Sequence, residues 1–312
     1  MTLLYRDELF QHHETGPHPE RPARLRAVEA ALDAAGLTAR CTAAAYTPLA
    51  PEATTAVHDG AVLERARRLT AQGGGYLDAD TPVCPESLKV ALAAAGACCS
   101  AVDAVLKGDD TTALCLVRPP GHHATPSHSM GFCLFNNIAL AAHRARTVHG
   151  LDRVLIVDFD VHHGNGTQDI FYADGQVAFY SIHRYGGGFY PGTGAADETG
   201  TGRGLGRIVN VPVRYGTPRP EYLARFSATL ADVADQVKPQ LVLLSAGFDA
   251  HRADPVGALG LEAEDFGPMT RQVLDVARTH TGGRLVSCLE GGYNLDALAQ
   301  SVTVHLDMLL NG

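Results

Sequence analysis

Apolar runs of strand length recur at 113–117 (Ala-Leu-Cys-Leu-Val), 153–157, 177–182, 208–213, 240–246 and 284–289. They are continuous rather than alternating, the pattern of strands covered on both faces. Between most of them lie segments with apolar residues at helical spacing, 86–106, 136–149, 219–236 and 262–279, and 294–310 closes the chain. This alternation predicts an α/β fold, a parallel sheet with helices on both faces. Pro22 near the start of 21–35 and Gly36 after it mark the ends of a first helix. The stretch 186–206 carries Gly at 186, 187, 188, 192, 194, 200, 202, 204 and 206, a loop too long to be idle. No repeat, low-complexity tract or hydrophilic linker divides the chain, so one domain over 1–312 is expected.

In open parallel sheets, chemistry collects beyond the carboxyl ends of the strands. Here Arg118-Pro119-Pro120-Gly121-His122-His123 follows the first of those strands and Asp158 to His163 the next. Ser181-Ile182-His183, Gly247-Phe248-Asp249 and Glu290-Gly291-Gly292-Tyr293 follow three more. In an extended chain Asp158, Asp160 and His162 share a face. A carboxylate and an imidazole two apart are half of a transition-metal site, and Asp249 is the natural third ligand of a centre that keeps one position open. The plainer alternative is a polar turn with capping acids. His122-His123 suits general acid/base chemistry or a surface loop. Tyr293, after two glycines, suits an oxyanion donor or a packing aromatic.

Composition narrows the setting. Charged residues are 19% and hydrophobic ones 46% of 312, with a formal net charge of -9. That charge argues against nucleic-acid binding and mildly favours cationic substrates. Seven cysteines, without a Cys-x-x-Cys, suggest buried thiols in a reducing compartment. Charges at Arg6, Asp7 and Glu8 come too early for a signal peptide, and the uncharged run Val90 to Val102 is too short to span a bilayer. A soluble, cytoplasmic protein without a membrane partner is the expectation; oligomeric state leaves no mark. There is no Gly-x-Ser-x-Gly elbow, Cys133 reads as packing, and none of the lysines at 89, 107 and 238 precedes Ser or Thr.

The motifs taken together resemble the histone deacetylase and acetylpolyamine amidohydrolase superfamily, class II type. The resemblance is carried by Arg-Pro-Pro-Gly-His-His-Ala at 118–124, Gly-Phe-Cys-Leu-Phe-Asn-Asn at 131–137 and Asp-Phe-Asp-Val-His-His-Gly-Asn-Gly-Thr-Gln at 158–168. It continues through Ser-Ile-His-Arg-Tyr at 181–185, Phe-Tyr-Pro-Gly-Thr-Gly at 189–194, Ser-Ala-Gly-Phe-Asp-Ala-His at 245–251 and Leu-Glu-Gly-Gly-Tyr-Asn at 289–294, and begins at His-Pro-Glu-Arg-Pro, 18–22. It implies an arginase/deacetylase-like fold and one zinc per chain on Asp160, His162 and Asp249. The same ligand set also accepts iron(II). It further implies His122 and His123 as paired imidazoles, His123 being general base and later acid, held by Asp158 and Asn165 respectively. The Asn in place of Asp would make His123 less basic. Tyr293 would polarise the scissile carbonyl, and Gly131, Phe132 and Tyr190 would line a channel for an aliphatic stem. A structural potassium is implied on the Asp158 carboxylate, the Ser181 hydroxyl and main-chain oxygens of Asp158, Asp160, His162 and Ile182. A second monovalent site near Phe171 and Val177 stays open.

Two rivals fall to particular residues. An arginase-type ureohydrolase needs an acid two after His162, where Gly164 stands. A non-catalytic reader of acylated lysine would be expected to have lost a ligand, an imidazole or the tyrosine, and all are present. The substrate is then an acylated lysine or, alternatively, an acylated polyamine. Val256 stands where one polyamine-selective branch has Glu, which favours acyl-lysine. Asp80 falls near the acid that grips the peptide backbone in some relatives. Asp80, Glu86, Asp197 and Glu198 are the acids that a polyamine reading would use.

Overall fold

Strands buried on both faces need helices on either side, and the chain supplies them in alternation. The computed structural model describes all 312 residues. In order they form β1 (Thr2–Tyr5), α1 (Ala23–Ala34), β2 (Thr42–Ala43), α2 (Gly60–Ala71), β3 (Gly75–Asp78), β4 (Thr81–Val83), α3 (Ser87–Lys107) and β5 (Thr112–Cys115). Then come α4 (Asn137–Thr147), β6 (Val154–Asp158), α5 (Asn165–Phe171), β7 (Val177–Arg184), β8 (Ile208–Val213) and α6 (Arg219–Val237). The chain ends with β9 (Leu241–Ala246), α7 (Phe266–Thr281), β10 (Leu285–Leu289) and α8 (Leu295–Asn311).

Eight strands make one sheet in the order β2-β1-β5-β10-β9-β6-β7-β8, and each neighbouring pair is parallel. Helices α3, α4 and α5 touch one another in series and cover β1, β5, β10, β9, β6 and β7; α6, α7, α8 and α1 form a second series, reaching β7, β8 and β9. Asn136 and Asn294 cap α4 and α8 through their side-chain oxygens, and Gly108 and Gly282 end α3 and α7 in the left-handed conformation.

Six elements were not legible from pattern. β1 and β2 are four and two residues long, and α5 is seven, too short to show a period. The antiparallel pair β3–β4 begins on the last of three consecutive glycines, Gly73 to Gly75. In α2 the apolar positions Val62, Leu63 and Ala66 are spaced among arginines. This region packs on a minor apolar cluster of its own, Val62, Leu63, Leu77 and Val83 with Leu92, Leu134 and Phe135, apart from the main core. The helix expected over 262–279 begins at Phe266, after a short 3-10 turn whose Glu262 and Asp265 cap each other. By length and composition α3 is long and apolar enough to cross a membrane, contrary to the sequence estimate, but 78% of that window is buried in the protein. Its Ala-rich faces pack on α4 and the sheet.

Beneath the sheet's carboxyl edge lies a fully buried ion cluster. Glu20 takes Arg118 through both its carboxylate oxygens and Arg24 at 3.1 Å. Arg118 also donates to the carbonyls of Phe10 and His13, and Arg24 to those of Gly292 and Glu290. The cluster ties the segment before α1 to the turns after β5 and β10.

Candidate active site

The five strands whose ends carry chemistry, β5, β10, β9, β6 and β7, are contiguous in the sheet, so their loops meet at one edge. β6 and β9 pair directly, Asp158 opposite Ser245, which brings the turn after each into contact.

Asp160, His162 and Asp249 are buried with their donor atoms all within 4.8 Å of one another. His162 Nδ1 stands 3.1 Å from Asp160 Oδ1 and 3.0 Å from Asp249 Oδ2. The remaining oxygens are held by backbone amides: Gly291 N donates to Asp160 Oδ2, and Val161 N to Asp249 Oδ1. Two glycines leave the space beside them. A Cβ on Gly247 would lie 2.0 Å from Asp160 Oδ2, and one on Gly291 2.2 Å from Asp249 Oδ2. Burial and the adjacent Asp160 push Asp249 up to about 7. Burial works against Asp160 as well, yet the His122 and His162 imidazoles keep it well below the usual carboxylate range. Two desolvated carboxylates converging on one imidazole suit a divalent cation, which would take both charges and the Nδ1 lone pair. The residues present fit such an ion. A second acid has no room: a Cβ on Gly164 would fall 2.3 Å from Asp158 Oδ2.

Above this trio the rings of His122 and His123 lie 4.0 Å apart. His122 Nδ1 is 2.9 Å from Asp158 Oδ2, and His123 Nδ1 donates to Asn165 Oδ1 at 2.7 Å. Accepting from His123, Asn165 fixes the tautomer with Nε2 unprotonated. Burial opposes charge on His122, but Asp158, Asp160 and Glu290 overcome it and raise the imidazole to about 10. Burial, with His122 and His162 nearby, holds His123 well below the usual histidine range. The surroundings thus favour the charged form of His122 and the neutral form of His123.

A cavity of about 200 Å³ opens over these groups, lined by His123, His162, Tyr293, Gly131, Phe132, Tyr190, Val256 and Asp80. Gly131 is obligatory there: its φ is +57° and a Cβ would strike the His123 ring at 2.5 Å. Phe132 itself sits at φ 69°, a conformation that costs a non-glycine residue energy. It is held by two bonds from the β3–β4 turn, Gly131 N to Asp80 Oδ1 at 3.2 Å and Phe132 N to Thr81 Oγ1 at 3.1 Å. The Phe132 ring meets Tyr293 edge-on, and Tyr190 meets His123 the same way. Ser181 pairs with Asp158 in the β6–β7 register, and Ile182 follows it, both buried. Glu86, Asp197 and Glu198 do not line the cavity. Glu198 turns inward to Gly194 N, Ala195 N and Gln168 Nε2, pinning the glycine-rich loop.

Several contributors carried no signal in the sequence beyond membership of a motif. Phe189 stacks on His162 at 4.9 Å and 7°, and Arg184 covers its other face at 4.1 Å. Asp254 accepts from Tyr293 N, Val256 N and Gly257 N, joining the turn that carries the tyrosine to the Val256 segment. Glu290 holds the turn before the histidines. Cys98, Cys115 and Cys288 form another close group, but they are fully buried in the main core, and their contacts with one another together with burial raise the thiols well above the usual range.

Comparison with known proteins agrees with this geometry. The chain matches the histone deacetylase domain over residues 18–309. It is 39% identical to the histone deacetylase-like amidohydrolase of Pseudomonas aeruginosa, across 94% of this chain and 82% of that protein. It is 36% identical to a probable deacetylase of Archaeoglobus fulgidus, across 94% and 81%. Among solved structures the HDA15 HD domain superposes with a TM-score of 0.94 at 39% identity, across 99% of this chain and 88% of that one.

Proposed function

As the chain belongs to the histone deacetylase family, and is thus a deacetylase-type amidohydrolase, we propose that it uses zinc to hydrolyse acylated amines, with N6-acyl-lysine of peptides or proteins as its preferred substrate. The observation that carries this reading is the cavity: a largely apolar slot that meets His123, Tyr293 and His162, the last a member of the buried carboxylate–imidazole trio. Such a slot suits an aliphatic stem with an amide at its tip.

Asp160, His162 and Asp249 would hold the metal. When bound, zinc polarises the acyl carbonyl and lowers the pKa of a bound water. The chain's residues supply the rest. His123, with Nδ1 committed to Asn165, takes a proton at Nε2 from the attacking water and returns it to the leaving amine. His122, paired with Asp158, contributes positive charge beside it. Tyr293 donates its hydroxyl to the developing oxyanion. Phe132 and Tyr190 exclude water from the stem. The same reading assigns a structural potassium to Asp158, Ser181 and main-chain oxygens of Asp158, Asp160, His162 and Ile182. Its support is the pairing of Asp158 with Ser181 and the oxygen-rich donor set.

Metal analysis of the purified protein should find one divalent ion per chain, lost in Asp160→Ala and in Asp249→Ala. Two tightly bound ions per chain, or full retention in both variants, would remove the basis for the mechanism.

One observation favours the acylated polyamine instead: Asp80 lines the cavity with a carboxylate. One of its oxygens already accepts from Gly131 N, and no other residue lining the cavity is an acid. Wild type is therefore expected to prefer acetyl-lysine peptides over acetylated polyamines in kcat/KM. Val256→Glu adds an attraction on the order of 1 kcal/mol or less and narrows the gap by up to about fivefold. A wild-type enzyme much faster on polyamines and indifferent to this change points to the polyamine substrate.

A further inference from the structure

We propose that Glu290 is a positioning residue that sets the imidazole pair against the tyrosine. The inference rests on the roles given above to His123 and Tyr293. Glu290 is almost completely buried, at 1% exposure, and belongs to two parts of the site at once. Its backbone leads from β10 into the turn that ends in Tyr293: its N–H donates to Ala246 O, and its carbonyl accepts from Arg24. Arg24 in turn lies 5.0 Å from the centre of the Tyr293 ring. The Glu290 side chain reaches away to the turn after β5. There Oε2 accepts from Gly121 N at 2.6 Å and from His122 N at 3.2 Å, while Oε1 accepts from Ser245 Oγ at 3.0 Å.

Two consecutive buried amides converging on one oxygen leave that turn little freedom. Pro119 and Pro120 before them have no N–H to give. On its far side the turn is already in contact, since a Cβ on Gly121 would meet Asn137 N at 2.5 Å. The next residue after Glu290, Gly291, donates to Asp160 Oδ2. One residue therefore fixes the spacing between the proton acceptor, the oxyanion donor and a metal ligand. Burial raises the Glu290 carboxyl to about 7, so the group is retained at an electrostatic cost that its hydrogen bonds offset.

Three variants separate reach from charge. Glu290→Asp keeps a carboxylate but withdraws it by one methylene from Gly121 and His122. Glu290→Gln keeps the reach: its amide oxygen can accept from both N–H groups while its NH2 donates to Ser245 Oγ. Glu290→Ala removes both. Each is loaded with zinc and assayed on an acetyl-lysine peptide beside His123→Ala. Glu290→Asp and Glu290→Ala should lose about 10²-fold in kcat, the scale of a misplacement near 1 Å, with KM changed less than about twofold and one metal retained. Glu290→Gln should recover to within about threefold of wild type. Should the alanine variant not fold, the aspartate and glutamine variants carry the comparison. Full kcat in Glu290→Asp, or a glutamine variant as impaired as the aspartate one, overturns the positioning role, the latter in favour of a requirement for charge. Full activity in His123→Ala would instead overturn the catalytic assignment on which the inference stands.

Discussion

Tyr293→Phe should lower kcat by about 10²–10³ while fold and metal content stay as in wild type, because it deletes one donor to an oxyanion that forms only in the transition state. Backbone and ring are both held by other contacts, so loss of the hydroxyl need not displace the ring. Tyr293 N donates to Asp254 Oδ2 at 2.7 Å, the ring meets Phe132 edge-on at 5.6 Å, and Arg24 lies beside it. A ground-state contact of equal strength would appear in KM, whereas this one should appear in kcat and kcat/KM alike. Steady-state kinetics on an acetyl-lysine peptide decide the matter. Near-normal kcat would leave the electrophilic half of the mechanism without its donor.

Glu20→Ala should be among the most destabilising single changes available, about 3–5 kcal/mol, since it strands two buried guanidinium groups. Arg118 and Arg24 are both fully buried, and no other carboxylate pairs with either. Denaturant unfolding should show a midpoint shifted to lower concentration with little change in slope. The same cluster has a pH signature. Burial alone would raise Glu20, but Arg118, with His13 and Arg24, holds it down to about 2 from 4.5. Its contribution is therefore complete above about 4.5 and is lost as pH falls towards 2. Glu20→Gln should lose that part of the acid dependence, and an unchanged profile would contradict the pairing.

The strands that build the sheet's centre were readable because burial on both faces forces continuous apolar runs such as Leu241–Ala246. The chemistry was readable because a parallel sheet delivers each strand's end to the same edge, so order along the chain translated into neighbourhood. Contacts that cross between elements were not. Nothing in the sequence near Phe189 says that its ring lies flat on His162, or that Arg184 covers it. Nor could Glu198 be distinguished from Asp80 by type, since both are acids in loops; one turns inward to hold a loop and the other faces the cavity. The short elements escaped for a local reason: β2 and α5 bury too few residues to impose a period, and their positions are settled by neighbours.

The minor apolar cluster beneath the β3–β4 turn has a consequence for how such an enzyme changes over time. The floor, with the Asp160, His162 and Asp249 trio and the paired imidazoles, is welded to the main core, while Asp80, Thr81 and through them Phe132 hang from a separate and much smaller one. Substitutions at Val62, Leu77 or Val83 can therefore resize or loosen one wall without touching the machinery that breaks the bond. Selection for a new acyl-amine can act on the lip, leaving the furnace below it unaltered.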